Sequence, residues 1–176
     1  MTNMDKISVF DEIINCGILE EDSVVNFGAG SNNGKFIETL IEYNGSIQKG
    51  TFTAVEPDPK KIKTLTKKFL NEDILFLESS LQSYIDSEPQ NSDWVVITGV
   101  FDDHLYGEHQ HDYVDSVIQS SIGIANKGVI FSIKEEMDTD FKYSIIYFFV
   151  SLRNTYEKLT LKKFSDGIYI FCIFKQ

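Results

Sequence analysis

The residues best suited to chemistry lie where an apolar run breaks on glycine. Val24-Val25-Asn26-Phe27 runs into Gly28-Ala29-Gly30-Ser31-Asn32-Asn33-Gly34, which puts glycines where a strand must turn sharply into a helix and let a ligand approach bare backbone. The helix N-terminus behind such a bend offers main-chain N–H groups to a carboxylate or phosphate. The same pattern also serves merely to cap a strand-to-helix turn, so a second group must converge on the bend before a site can be read. Glu56 is that group. It follows the next apolar run, Thr51 to Val55, and precedes Pro57-Asp58-Pro59. In a doubly wound sheet the end of the second strand lies beside the glycine loop, where a carboxylate can accept both hydroxyls of a ribose. Alone, Glu56 reads as a solvated loop acid; with the glycines it is half of a nucleoside site.

A second cluster is Asp102-Asp103-His104-Leu105-Tyr106-Gly107-Glu108-His109-Gln110-His111-Asp112, which holds every histidine of the chain. One reading is a polar, Asp-capped start of the following helix. Another is an acceptor loop in which His104 or Asp102 takes a proton from a hydroxyl. Metal-ligand residue types are present, but their spacing matches no familiar set, and no residue is assigned to a metal. Phe101, Tyr106 and Tyr113 either wall an acceptor pocket or pack in the core.

The elements that must position these residues follow from short apolar runs alternating with helical patterns, the mark of a parallel sheet. An opening helix spans about Asp5 to Asn15 and stops at Gly17. Strands are expected at Ser23–Phe27, Thr51–Val55, Ile74–Leu77, Trp94–Ile97 and Gly128–Ile133. Helices between and after them are expected over Gly34–Tyr43, from Asp58-Pro59 as N-cap and first residue, over Leu81–Ile85, His109–Ala125 and Asp140–Asn154. Leu159–Phe164 and Ile168–Phe174, joined by Ser165-Asp166-Gly167, form an antiparallel hairpin.

A chain of 176 residues suits one domain spanning its whole length, with the first 20 residues as a helix packed on the core. Its formal charge of -11 repels a phosphate backbone and disfavours a nucleic-acid partner. The lysines at 60, 61, 63, 67 and 68 have helical spacing opposite Ile62, Leu65 and Phe69, and read as a solvated helix face. Cys16 and Cys172 lie in apolar contexts at opposite ends of the chain, and no secretory pattern precedes them, so a cytoplasmic protein is expected. The apolar stretch from Ser144 to Leu152 is about half of what a membrane span requires and reads as a buried helix segment.

Taken together, the G-x-G-x-x-x-G loop at Gly28, Gly30 and Gly34, the Val55-Glu56-Pro57-Asp58-Pro59 segment, Asp93-Trp94-Val95-Val96-Ile97 and the closing hairpin resemble the class I S-adenosylmethionine-dependent methyltransferases from Ser23 to the C-terminus. The resemblance implies a Rossmann-like three-layer αβα sandwich with sheet order 3-2-1-4-5-7-6 and strand 7 antiparallel. It also implies S-adenosyl-L-methionine as cofactor, lying across the C-terminal strand ends. Gly28, Ala29 and Gly30 would face the methionine part, Glu56 the ribose, Ser79, Ser80 and Leu81 the adenine, and Thr98-Gly99 the methyl-donor side, with Asn26 and Pro57 also among the cofactor-binding residues. Asn26 stands where the family usually has an acid, and Ser80 where an acid often meets the adenine amino group; both still hydrogen-bond, without charge. The Asn/Asp-Pro-Pro-Tyr/Phe type motif of the family's nucleic-acid amino-methylating branch is replaced by Thr98-Gly99-Val100-Phe101.

The function expected is methyl transfer to a small-molecule or saccharide-like acceptor, with His104, then Asp102, as candidate base. Two alternatives come from other classes. A nicotinamide-dependent oxidoreductase also uses an acid after the second strand, although the third glycine at 34 and the closing hairpin oppose it. A non-catalytic S-adenosylmethionine-binding protein fits the loss of charge at Asn26 and Ser80. The sequence leaves a homo-oligomer open.

Overall fold

Successive side chains of the central strands point to opposite faces of the sheet and are buried on both, which is why the apolar runs are nearly continuous. The computed structural model describes residues 8–47, 52–101, 110–134, 141–164 and 167–175. In chain order the elements are α1 (Val9–Asn15), β1 (Val24–Phe27), α2 (Lys35–Asn44), β2 (Phe52–Glu56), α3 (Pro59–Lys68), β3 (Ile74–Glu78) and α4 (Leu81–Asp86). There follow β4 (Ser92–Ile97), α5 (Gln110–Ile124), β5 (Ala125–Lys134), α6 (Phe141–Thr155), β6 (Leu159–Lys163) and β7 (Ile168–Phe174). The sheet order is β3-β2-β1-β4-β5-β7-β6. The pairs among β1 to β5 are parallel, and β7 inserts antiparallel between β5 and β6.

The two sheet faces carry separate cores. Val25, Phe27, Val95, Ile97, Val129, Phe131, Phe171 and Ile173 point one way, with Val114, Val117 and Ile118 of α5 and Ile145, Phe148 and Leu152 of α6. Val24, Trp94, Val96, Ile130, Ile170 and Cys172 point the other way, beneath Ile13 and Ile14 of α1, Phe36, Ile37 and Leu40 of α2 and Leu65 of α3. Burying each such side chain contributes on the order of 1.5–3 kcal/mol, so both faces must be covered for the sheet to persist.

Local signals set most element ends. Ser8 and Asp11 form a capping box on α1, Asp58 caps α3 with Pro59 in its first turn, and Gly45 closes α2 in the left-handed conformation at φ 78°. Three expectations need correction. Ala125 begins β5 rather than ending α5, because the closing contact is remote: the Lys175 ammonium donates to the Ile122 carbonyl (3.0 Å) and the Ala125 carbonyl (2.6 Å). Cys16, not Gly17, takes the C-cap position of α1. The 144–152 segment is helical but buried on one side alone, since Ile146 and Tyr147 are exposed. Among the described residues no helix is long and apolar enough to cross a membrane.

The N-terminal ends of β1, β4 and β5 are tied through Asp22. Its buried carboxylate accepts the Leu19 N–H (3.0 Å) and the Trp94 indole N–H (2.8 Å) and pairs with Lys127. Burial opposes its ionisation, but the Lys127 hydrogen bond, then those from Leu19 and Trp94, hold the carboxyl below its ordinary range.

Candidate functional site

The opposite ends of the strands hold the cavity. β1 ends at Phe27, and Gly28 turns with φ 73°. A Cβ on Gly28 would stand 2.1 Å from the Thr98 carbonyl oxygen, a backbone atom that cannot step aside. This position therefore requires glycine twice over, for its φ and for its contact with the end of β4. The chain then makes a left-handed turn. Asn32 (φ 49°), Asn33 (φ 55°) and Gly34 (φ 76°) are successively left-handed, a conformation asparagine tolerates better than other side chains. The Lys68 ammonium donates to the Asn33 carbonyl at 2.7 Å and pairs with Glu38 at 2.8 Å. A Cβ on Gly34 would meet Leu65 Cδ2 at 2.6 Å, so the third glycine serves the approach of α3 to this turn.

Glu56 turns inward to this bend. It is 4% exposed; its Oε2 accepts the Gly30 N–H at 3.0 Å and its Oε1 accepts the Asp58 N–H at 3.2 Å. The Lys61 ammonium stands 3.8 Å from Oε1. A Cβ on Gly30 would lie 2.7 Å from both Glu56 Oε2 and Lys61 Cδ, so the second glycine makes room for the carboxylate and the lysine stem. The remaining bend N–H groups are also used within the chain: Gly28 and Ala29 donate to the Val55 carbonyl (3.1 and 3.3 Å), and Ser31 to the Gly28 carbonyl (2.8 Å). The N–H groups of Gly28, Ala29, Gly30 and Ser31 are thus all engaged within the chain. Helix α2 starts a left-handed turn beyond the bend.

A cavity of about 380 Å³ opens here, within the size range of small-molecule sites. Of the residues singled out from sequence, Gly28, Glu56, Pro57, Ser79, Ser80, Leu81 and Gly99 line it together. Asn26, Ala29, Gly30 and Thr98 stand behind the wall. Asn26 is fully buried, and its amide nitrogen donates to the Phe27 carbonyl (3.2 Å), the Val96 carbonyl (3.2 Å) and Thr98 Oγ1 (3.3 Å), while its Oδ1 has no partner. Acceptors crowd that nitrogen, so an aspartate in its place would meet oxygen against oxygen at the two carbonyls; the amide suits its site. Ser80 is engaged as the N-cap of α4, accepting from the Ser83 N–H (3.1 Å) and donating to Ser83 Oγ (2.9 Å).

Phe27, Ser31, Val55, Lys61, Val100 and Tyr113 also line the cavity. The lysine run is the solvated face the spacing implies, with Lys60, Lys61, Lys63, Lys67 and Lys68 all exposed; Lys61 in addition leans over Glu56. Spacing identifies the polar face of α3 and not what lies against it. Phe101 is core, fully buried and edge-on to Phe131 at 5.7 Å, whereas Tyr113 reaches the cavity rim. Asp102, His104 and Tyr106 lie outside the described residues.

Solved structures share this architecture. The magnesium protoporphyrin IX methyltransferase of Synechocystis PCC 6803, crystallised with bound SAM, superimposes with a TM-score of 0.62 at 13% identity over 96% of this chain and 76% of that one. The precorrin-6y C5,15-methyltransferase of Geobacter metallireducens GS-15 gives 0.58 at 16% identity over 99% and 94%. An rRNA methylase of Streptococcus thermophilus gives 0.61 at 11% identity over 94% and 93%. No family model and no curated protein matches the sequence. The fold is that of the class I S-adenosylmethionine-dependent methyltransferases, with the sheet order and the antiparallel seventh strand that the sequence led us to expect.

Proposed function

We propose that this chain is an S-adenosylmethionine-dependent methyltransferase that uses one α/β domain to hold both methyl donor and acceptor. The observation that carries the reading is the convergence of Glu56 and the Gly28–Gly30 bend on one cavity, with Gly30 N and Glu56 Oε2 3.0 Å apart. The residues present fit an adenosine. Each Glu56 oxygen accepts one main-chain N–H and keeps a lone pair for a ribose hydroxyl, while Phe27, Val55 and Leu81 offer apolar surface for a base. S-adenosylmethionine supplies an electrophilic methyl carbon.

The protein's work is then mostly positional, since holding reactants in line can supply on the order of 7–11 kcal/mol of a barrier. Gly99 and Val100, at the end of β4, line the donor side. For a hydroxyl acceptor His104 is the base we favour and Asp102 the second choice, both following β4 in sequence. The acceptor we propose is a small or saccharide-like molecule: a net charge of -11 opposes capture of a polyanion. Incubating the chain with S-adenosylmethionine and a panel of hydroxyl, amine and thiol acceptors, with S-adenosylhomocysteine formation as readout, tests the reading. Acceptor-dependent product supports it. Tight cofactor binding without turnover on any of them would favour a non-catalytic binding protein.

A further inference from the structure

The two cysteines are nucleophiles that the proposed reaction does not use. Read along the chain they stand at opposite ends; in the fold α1 lies against β7, and both thiols belong to the same core. Cys16 caps the end of α1 and is partly exposed, while Cys172 is fully buried in β7, paired in register with Ile130 and Thr160. Each thiol acts on the other's titration more than any other group does, and both are free. We propose that Cys16 and Cys172 form a reversible internal disulfide, with Cys16 as the thiol that meets the oxidant and Cys172 as the thiol that closes the bond.

The surroundings divide these roles. The Cys172 thiol holds Cys16 below the ordinary thiol range, against its burial and the Glu12 carboxylate, with the Lys162 ammonium assisting. Lys162 is itself paired with Glu12 at 2.6 Å. Cys16, then burial, pushes Cys172 up, only partly offset by the Thr160 hydroxyl. The more acidic and more accessible sulfur is thus the one that reacts first.

The co-reactant is a small-molecule disulfide such as oxidised glutathione. The Cys16 thiolate attacks one of its sulfurs, that S–S bond breaks, and the departing thiolate takes a proton from water. The Cys172 sulfur then attacks Cys16 Sγ in the mixed disulfide, and its proton goes to the second departing thiolate. The protein loses two hydrogens and two electrons, and the oxidant is reduced to two thiols. The new bond closes a loop spanning nearly the whole chain and fixes α1 on β7, a long closure of the kind that stabilises most in the chain-entropy account.

The test treats the folded full chain with oxidised glutathione and follows intact mass, free thiols and melting temperature. We expect a product lighter by two hydrogens, with no retained glutathione, no titratable thiol and a melting temperature higher by roughly 10 °C, all reversed by dithiothreitol. Cys172→Ser should instead accumulate a glutathione adduct on Cys16, which shows that the first step needs only the accessible thiol. A stable adduct on the unmutated chain, a disulfide-linked dimer, or two thiols still open to alkylation after treatment would each overturn the proposal. Its outcome is independent of whether the cavity binds a methyl donor.

Discussion

Replacing Glu56 by alanine removes a carboxylate that is 4% exposed and joins two neighbouring strands at the cavity. Two effects follow, and the structure separates them. The Gly30 N–H, donated to Oε2 at 3.0 Å, loses its acceptor in a buried place, which costs about 1–3 kcal/mol of stability. For a domain of this size that lowers the melting temperature by roughly 2–12 °C. Loss of one charged hydrogen bond to a ribose hydroxyl costs a further 1.5–3 kcal/mol or so of binding, a fall of roughly 10- to 150-fold in affinity. Calorimetric titration of S-adenosylhomocysteine into wild type and variant, well below either melting temperature, measures the second effect alone; thermal melts without ligand measure the first. A variant that melts lower yet binds within twofold of wild type would refute the ribose role and leave Glu56 as a strap for the glycine bend.

Other substitutions probe separate parts of the account. Gly28→Val forces a branched side chain into a left-handed position whose Cβ would lie 2.1 Å from the Thr98 carbonyl; strain and overpacking together should remove about 2–5 kcal/mol of stability and abolish cofactor binding, so retained binding would count against the loop assignment. Asp22 has its carboxyl held low, so it stabilises the fold above its unfolded-state pKa, and that contribution disappears as pH falls below about 4 and through the lower folded-state value. Asp22→Asn should therefore melt lower than wild type at pH 7 and converge with it in acid, which a melting series across pH measures; parallel curves would show that the charge is not what stabilises. His104→Ala should spare S-adenosylhomocysteine affinity and slow transfer to a hydroxyl acceptor by roughly 10²- to 10⁴-fold, whereas wild-type turnover would remove His104 from the chemistry.

The sheet and the placement of Glu56 were legible because both rest on local patterns. Apolar runs of strand length, the Asp58-Pro59 start of α3 and the glycine-containing connection before β7 each act within a few residues. What escaped the sequence acts across it. The Lys175 contact that accompanies the end of α5 comes from the far end of the chain, so the helical pattern alone runs on to Ala125. Lys61 has the same spacing and exposure as its neighbours, and only the approach of α3 to Gly30 reveals that it also stands over Glu56. That the Gly28 and Ala29 N–H groups turn onto the Val55 carbonyl of the neighbouring strand cannot be seen from the loop's own residues. Cys16 and Cys172 looked remote for the same reason: only the packing of α1 on β7 makes them neighbours.

The most direct measurement is parallel titration of the unmutated chain with S-adenosylhomocysteine and with NADH. The account predicts saturable binding of the nucleoside thioether at one site and none of the dinucleotide. Heat from NADH alone, or from neither, would contradict it.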